Sequence, residues 1–202
     1  MPKQRPFLSD VGELRRRARA HMAQGAVTSS YGGDVKEVCD LLNHALATEI
    51  VCVLRYKRHF FMATGINKDP VAAEFLQHAN EEQAHADLIA ARITQLGGEP
   101  NFDPVGLATR SHSEYVEGNS LVEMVKENLV AERIAIESYG EMIRYIGEKD
   151  VTTRRMLEDI LAMEEEHASD MLDLLETHFP EATAAGGAAK ATASRKPRRR
   201  SN

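Results

Sequence analysis

Apolar residues recur every three to four positions through most of this chain, which is the period of an amphipathic α-helix. Capping residues and glycines divide the pattern into four long segments, each of about 42 Å if fully helical. The predicted helices cover about residues 35–64, 69–97, 120–147 and 150–178. A shorter amphipathic helix is predicted before them, at residues 8–23.

The helix starts are predicted from N-cap signals. Asp34 and Ser120 are each followed three residues later by a glutamate, as in a capping box, and Asp150 caps the fourth helix. Asp69 is the expected N-cap of the second helix, with Pro70 at its first helical position. Glycines close the first three helices.

The connections predict the topology. Short links join the first helix to the second and the third to the fourth, so each pair is an antiparallel hairpin. Residues 99–119 are long enough to run the length of the bundle as a crossover. The expected fold is an all-α, up-down four-helix bundle at residues 35–180, with a basic extension at 1–34 and a disordered, low-complexity basic tail at 181–202.

Composition agrees with one helical domain. Of the 202 residues, 43% are hydrophobic, which is enough for a sizeable core. No apolar run approaches the roughly 20 residues that span a bilayer, and the opening MPKQRPFLSD lacks the apolar stretch of a secretory signal. The two cysteines, Cys39 and Cys52, are too few for a disulfide framework. Cys52 is expected to be a core residue, and Cys39 has no evident function. We therefore expect a cytoplasmic protein without a membrane partner.

The net charge of −6 conceals an asymmetry. Residues 35–180 carry 13 basic and 27 acidic side chains, whereas both ends of the chain are basic. An acidic body attracts cations, and basic ends suit an anionic partner.

One pattern of possible ligands occurs twice along the chain. A single glutamate is followed, 33 or 32 residues later, by Glu-x-x-His. The members are Glu49, Glu82 and His85 in the first copy, and Glu132, Glu164 and His167 in the second. Four carboxylates and two imidazoles, spread over four helices in this way, are the ligand set of a dinuclear metal centre in a helical bundle.

Each of these glutamates falls inside an apolar stripe of its helix. The helical neighbours of Glu49, for example, are Leu42, Ala45, Leu46, Cys52, Val53 and Tyr56. Burying an ionised carboxylate without a partner costs several kcal/mol. Two divalent cations balance four carboxylates and two neutral imidazoles.

The second helix offers two glutamates before its histidine, Glu81 and Glu82. The fourth helix has Met163 four residues before its histidine and Glu164 three residues before it. Only the choice of Glu82 therefore makes the two halves alike, and Glu81 is predicted to be a surface or supporting acid.

These segments resemble the ferritin-like superfamily, most closely bacterioferritin and the bacterioferritin-like members of the Dps-like proteins. The resemblance covers about residues 35–178 and is carried by LNHALATEIVCVLRY, HANEEQAHADLIAARITQLGGEP, LVAERIAIESYGEMI and LEDILAMEEEHASDML. It implies a ferroxidase centre with two iron ions within each subunit. Glu49 and His85 are then expected on one iron and Glu132 and His167 on the other, with Glu82 and Glu164 as bridges. Tyr56 and Tyr139 match tyrosines that lie beside these ligands in the family, although ordinary core packing explains them nearly as well.

The resemblance also has departures. Gln83 stands where bacterioferritin has a haem-binding methionine, so no haem is expected. No further helix is evident after Pro180, which favours a homo-oligomeric shell of twelve subunits over one of twenty-four.

The expected activity is oxidation of Fe(II) by O2 or H2O2, followed by iron storage in the shell. The ligand types suit manganese as well as iron. A di-manganese or di-iron enzyme that removes peroxide, of the catalase or rubrerythrin kind, is therefore a second hypothesis. A third is a DNA-coating protein that uses its basic tail, or the tail only aids solubility. The basic tail residues are Lys190, Arg195, Lys196, Arg198, Arg199 and Arg200.

Overall fold

The computed structural model describes residues 10–183, and this part of the chain contains helices but no strand. The helices are α1 (Val11–Ala20), α2 (Val35–Met62), α3 (Lys68–Gln95), α4 (Leu107–Arg110), α5 (Leu121–Ile146) and α6 (Val151–His178), with a 3₁₀ turn at Met22–Gln24. α2, α3, α5 and α6 are the four long helices that the sequence predicts. The predicted all-α fold is confirmed.

Three of the predicted N-caps are confirmed. The side chain of Asp34 accepts the backbone N–H of the residue three positions later at 3.1 Å. Ser120 and Asp150 make the same contact at 3.3 and 2.9 Å. Gly147 ends α5 with φ +51°, a conformation that residues with a Cβ rarely adopt.

The predicted start of the second long helix is wrong by two residues. α3 begins at Lys68 and its N-cap is Asn67, so Asp69 and Pro70 lie inside the first turn. A proline is tolerated there because the first N–H groups of a helix have no acceptor within the helix. The Asn67 amide donates instead to the carbonyl of His178, which ties the start of α3 to the end of α6 at 3.2 Å.

α1 is shorter than the predicted residues 8–23. It begins after Asp10, which caps it by accepting the N–H of Glu13 at 3.0 Å. No residue of α1 is buried by the described part of the chain. Little apolar packing therefore holds this helix, which explains why it ends at Ala20.

The crossover runs along α2, as the sequence predicts. At one end, Asn43 contacts the carbonyl of Glu99 and the N–H of Asn101, at 3.2 and 2.7 Å. At the other end, the ring of His59 lies 3.1 Å from the carbonyl of Glu117. The intervening residues of α2 rise about 24 Å at 1.5 Å per residue. The crossover therefore covers most of the helix.

Arg55, on α2, is fully buried and anchors the crossover. Its guanidinium donates to the side chains of Asn128 on α5, at 2.9 Å, and Ser113, at 3.0 Å. It also donates to the carbonyl of Glu114 at 3.0 Å. The sequence analysis assigned no role to this arginine, since nothing local distinguishes it from a solvated one.

The core consists of two apolar clusters at different levels of the bundle. One contains Leu46, Ile89 and Ile160, and the other contains Phe75 and Met171. The hairpin of α2 and α3 packs against the hairpin of α5 and α6 around both clusters. The four predicted glutamates lie on their helices between the two levels, so they are enclosed from above and below.

The chain after α6 differs from the prediction over its first residues. Residues 180–183 are helical, and the N–H of Ala182 bonds the carbonyl of Phe179 at 2.8 Å. The proline at 180 does not prevent this, because it lacks only an N–H that needs no partner at a helix start. The predicted tail residues from Lys190 to Arg200 lie outside the described residues. Within residues 10–183, no helix has both the length and the apolar character that crossing a bilayer requires.

Candidate metal centre

The structure brings all six predicted ligands together inside the bundle. Glu49 projects from α2, Glu82 and His85 from α3, Glu132 from α5, and Glu164 and His167 from α6. Each of these residues is at most 5% exposed. The i, i+3 spacing on α3 and on α6 places each Glu–His pair on one helix face, toward the other hairpin.

The six side chains form two overlapping sets of four. The first set is Glu49, Glu82, His85 and Glu164, and the second is Glu82, Glu132, Glu164 and His167. In each set, one possible ligand atom from every residue lies within 4.8 Å of the others. Glu82 and Glu164 belong to both sets, so these two carboxylates lie between the two groups.

The imidazoles face the shared carboxylates. Nδ1 of His85 lies 3.0 Å from Glu164, 3.4 Å from Glu49 and 3.6 Å from Glu82. Nδ1 of His167 lies 3.6 Å from Glu82 and 3.8 Å from Glu164. Atoms bound to one ion by bonds of about 2.1 Å lie roughly 3.0 to 3.5 Å apart. The distances from His85 to Glu164 and to Glu49 fall in this range, and the other three are longer.

Most of the inward-facing atoms nevertheless make no hydrogen bond within the described part of the chain. They are Oε2 of Glu49, both oxygens of Glu82, Oε2 of Glu132, both oxygens of Glu164, and Nδ1 of His85 and of His167. Buried polar atoms are almost always paired, because an unpaired one costs about 1–3 kcal/mol. Eight such atoms converging on one place fit a pair of metal ions, which would satisfy all of them.

Without cations, the carboxyl groups compete for charge. Burial, with the charge of Glu82 nearby, raises the pKa of Glu49 to about 8. The same causes raise the pKa of Glu132 and of Glu164. Burial also disfavours ionisation of Glu82, but contacts with His167 and His85 outweigh it and lower the pKa of Glu82. Glu82 is therefore the carboxyl group of the four that ionises most readily.

The two imidazoles respond in the opposite direction. Burial lowers the pKa of each imidazole, but the nearby carboxylates raise it by more. Glu164 and Glu49 bring the pKa of His85 to about 12, and Glu82 brings the pKa of His167 to about 9. Protons thus stand in for positive charge in the metal-free cluster. Metal binding has to displace them, since a ligating imidazole is neutral.

Two tyrosines hold the outer glutamates by crossing between hairpins. Tyr56 on α2 donates to Glu132 on α5, and Tyr139 on α5 donates to Glu49 on α2. Burial, reinforced by the carboxylates, raises the pKa of both phenols well above the usual value, so both remain donors. Each bond uses Oε1 and leaves Oε2 facing the centre.

Glu81 supports His167 from the outer side. Its Oε2 lies 3.0 Å from Nε2 of His167, and its side chain is 29% exposed. An ionised carboxylate only accepts, so in the neutral, metal-binding form of His167 the proton is on Nε2 and Nδ1 is free to face the centre. This agrees with the supporting role predicted for Glu81.

His78 is a further residue of the site; the sequence allows a supporting role for it but favours a core or surface position. It is fully buried, its Nδ1 lies 3.1 Å from the Tyr56 hydroxyl, and its ring stacks on that of His167 with centroids 4.0 Å apart. Burial and the neighbouring His167 lower the pKa of His78 to about 3. Its position one turn before Glu82 was the available signal.

Comparison with known proteins gives concordant results. The model of the ferritin-like domain family matches residues 39–178. Bacterioferritin of Rhodobacter capsulatus is 31% identical over 151 residues, covering 73% of this chain and 84% of that protein. Bacterioferritin of Mycobacterium tuberculosis is 31% identical over 144 residues, covering 71% of this chain and 84% of that protein.

Solved structures agree with the fold. The dodecameric thioferritin from Bacteroides fragilis, a bacterioferritin-related protein, is 31% identical, with a TM-score of 0.70, over 84% of this chain and 98% of its own. Dps from Thermosynechococcus elongatus has a TM-score of 0.67 over 69% of this chain and 90% of its own. Its 20% identity shows similarity of the fold alone.

Proposed function

The chain belongs to the ferritin-like domain family, and on that premise we propose that it is a ferroxidase with a dinuclear centre inside each subunit. The observation that carries the proposal is the set of eight buried, unpaired ligand atoms on six converging side chains. Burial of four carboxylates is explained if two divalent cations neutralise them. The family includes the relatives named bacterioferritin, which supports iron as the metal.

In this proposal Fe(II) is the substrate. Glu49 and His85 hold one ion, Glu132 and His167 hold the other, and Glu82 and Glu164 are shared between them. Each ion then has one nitrogen ligand and several oxygen ligands, a set that accepts both Fe(II) and Fe(III). Manganese suits the same ligands. The proposal nevertheless commits to iron as the metal that the protein binds in the cell.

The reaction moves one electron from each of two Fe(II) ions to a two-electron oxidant. With O2, two Fe(II) and two protons give two Fe(III) and one H2O2. With H2O2, two Fe(II) and two protons give two Fe(III) and two H2O. Two ions held side by side supply both electrons at once, so no single-electron product of the oxidant has to leave the site.

The protein contributes position and charge. Tyr56 and Tyr139 fix the outer glutamates, and Glu81 fixes the tautomer of His167. Partners of this kind usually change metal affinity 10- to 100-fold. The two apolar clusters exclude water on both sides, which strengthens the electrostatic contacts within the centre.

The oxidised iron is stored, in this proposal, in a homo-oligomeric shell. The dodecameric assembly named for the Bacteroides fragilis protein, at 31% identity, supports twelve subunits. Gln83 is exposed, and its amide contacts Asp87 at 3.1 Å. Because a glutamine replaces the haem-binding methionine here, haem binding at this position is not part of the proposal. DNA binding by the basic tail stays a prediction.

The test is iron oxidation by the double variant Glu82→Gln with Glu164→Gln. Both amides keep the shape of the side chains but remove the two shared charges, so we expect the rapid phase of Fe(II) oxidation under air or peroxide to disappear. The matched control is Glu165→Gln with Glu166→Gln, which removes two exposed charges beside Glu164 and is expected to keep the rate. A normal rapid phase in the first variant would refute the proposed centre.

A further inference from the structure

A second cluster of possible ligands lies beside the dinuclear centre and contains none of its six predicted ligands. Glu74 and His78 occupy successive turns of α3, and Asp170 lies opposite on α6. Nε2 of His78 is 3.3 Å from Oε1 of Glu74 and 3.4 Å from Oδ2 of Asp170. One ligand atom from each of the three residues falls within 4.8 Å of the others.

The hydrogen bonds on the inner side of His78 determine what its outer nitrogen can do. Tyr56 has one proton, which it donates to Glu132. The Tyr56 oxygen can therefore only accept from Nδ1 of His78, 3.1 Å away. In a neutral imidazole, an Nδ1 that donates leaves Nε2 with a lone pair and no proton.

Three acceptors then face one another. The Nε2 lone pair of a fully buried ring points at two carboxylates, which also only accept when ionised. Burial raises the pKa of Glu74, and the charge of Asp170 adds to this rise. Burial, with the charge of Glu166, also raises the pKa of Asp170. If Nε2 is protonated instead, the ring donates to Asp170 at 3.4 Å. A cation placed between the three atoms takes the place of that proton.

The distances suit a metal ion. Ligands of a tetrahedral ion with bonds of about 2.1 Å are about 3.4 Å apart, close to the 3.3 and 3.4 Å observed around Nε2 of His78. The carboxylates are partly open, with side chains 28% and 38% exposed for Glu74 and Asp170. Water can therefore complete the coordination from a surface cleft that these two acids line.

We propose that Glu74, His78 and Asp170 form a third divalent-cation site, separate from the six-ligand centre and open to solvent. One imidazole and two carboxylates suit Fe(II), Mn(II) or Zn(II). The proposal rests on the proposed function only in treating the neighbouring cluster as a metal centre. His78 stacks on His167 and bonds Tyr56, so a third ion would lie one ring away from a ligand of the centre.

The direct test is anomalous diffraction from crystals of the full chain equilibrated with Zn(II), which is redox-inert and forms no mineral. We expect density at Nε2 of His78, between Glu74 and Asp170, in addition to density in the six-ligand centre. Density in the six-ligand centre without any beside His78 would overturn the third site. The reverse result, density beside His78 alone, would support the third site and contradict the proposed dinuclear centre.

Variants give the same test in solution. Glu74→Gln with Asp170→Asn removes both carboxylates while keeping their shape, so bound Zn(II) at saturation should fall by one ion per chain. The control, Asp87→Asn with Glu176→Gln, removes two exposed charges from the same two helices and should not change the stoichiometry. Equal loss in the two variants would mean that bulk charge holds the ion, and no loss in either would mean that the site does not exist.

Discussion

At the scale of single residues, two buried tyrosines show how the hairpins cooperate. Tyr56 reaches from α2 to Glu132, and Tyr139 reaches from α5 to Glu49. Each tyrosine occupies one oxygen of its glutamate and leaves the other directed at the centre. The two halves of the bundle therefore hold each other's outer ligand.

We predict that Tyr56→Phe and Tyr139→Phe each weaken metal binding. Removal of the hydroxyl frees the glutamate to rotate and leaves one more buried oxygen unpaired, so affinity for Zn(II) should fall roughly 10- to 100-fold. Calorimetric titration of metal-free protein measures the change. Tyr145→Phe is the control, because Tyr145 bonds the exposed Glu37 far from the ligands. Unchanged affinity in both buried variants would show that these bonds do not position the ligands.

The residue scale also marks the limit of sequence reasoning. The convergence of the six side chains could be predicted because their spacing follows the helical period and repeats between the two halves of the chain. The partners of the tyrosines, the stacking of His78 and the burial of Arg55 could not, since each depends on how separate helices face one another. Glu81 and Glu82 could be distinguished only by comparison of the two halves.

At the scale of elements, caps and anchors hold the four helices in register. The carboxylate of Asp150 caps α6 through Thr153 and also accepts from Tyr31 at 2.9 Å and from Arg92 at 2.8 Å. Burial works against its ionisation, but these contacts, Thr153 first, lower the pKa of Asp150. One side chain thus joins α6, α3 and the segment before α2.

Asp150→Asn should lower the free energy of unfolding by roughly 2 kcal/mol at neutral pH. Because the folded-state pKa is lowered, this stability is present above the unfolded pKa of about 4 and is lost as pH falls through the folded value. The difference in the free energy of unfolding between wild type and variant, measured by urea unfolding, should therefore decrease below about pH 4. Asp34→Asn is the control: it changes an exposed cap to an equally good one and should cost little. A gap independent of pH would contradict the assigned ion pair.

The crossover depends on a buried guanidinium. Arg55→Met should destabilise the fold by about 2–4 kcal/mol, because Asn128, Ser113 and the Glu114 carbonyl lose their donor. Hydrogen exchange should then increase in residues 113–117. Arg58→Met, which removes an exposed pair with Glu117, should cost less than about 1 kcal/mol. Equal losses in the two variants would show that Arg55 is not a specific anchor.

The elements were predictable where the signals are local. Asp34, Ser120 and Asp150 were identified as caps because their side chains bond within their own first turn. The start of α3 was misplaced because a helix's first turn accepts both an acid and a proline. The length of α1 was overestimated because its apolar positions find no partner in the described part of the chain.

At the scale of the whole molecule, charge and burial serve one purpose in this account. The acidic body, with 27 acids against 13 basic residues over residues 35–180, attracts cations, and the two apolar clusters enclose the place where they bind. The long crossover joins the two hairpins, and each hairpin contributes one half of the centre. A storage shell would contain many such centres, one in each subunit. One measurement tests both the centre and the shell.

That measurement is a stepwise titration of metal-free protein with Fe(II) under air, following ferric absorbance and oxygen consumed. We predict a fast phase that ends at two irons per chain, one for each ligand set, and slower uptake far beyond that number as the shell fills. Saturation at two irons per chain would support the dinuclear centre and contradict iron storage in a shell. The absence of a fast phase, under air and with peroxide alike, would contradict the ferroxidase itself.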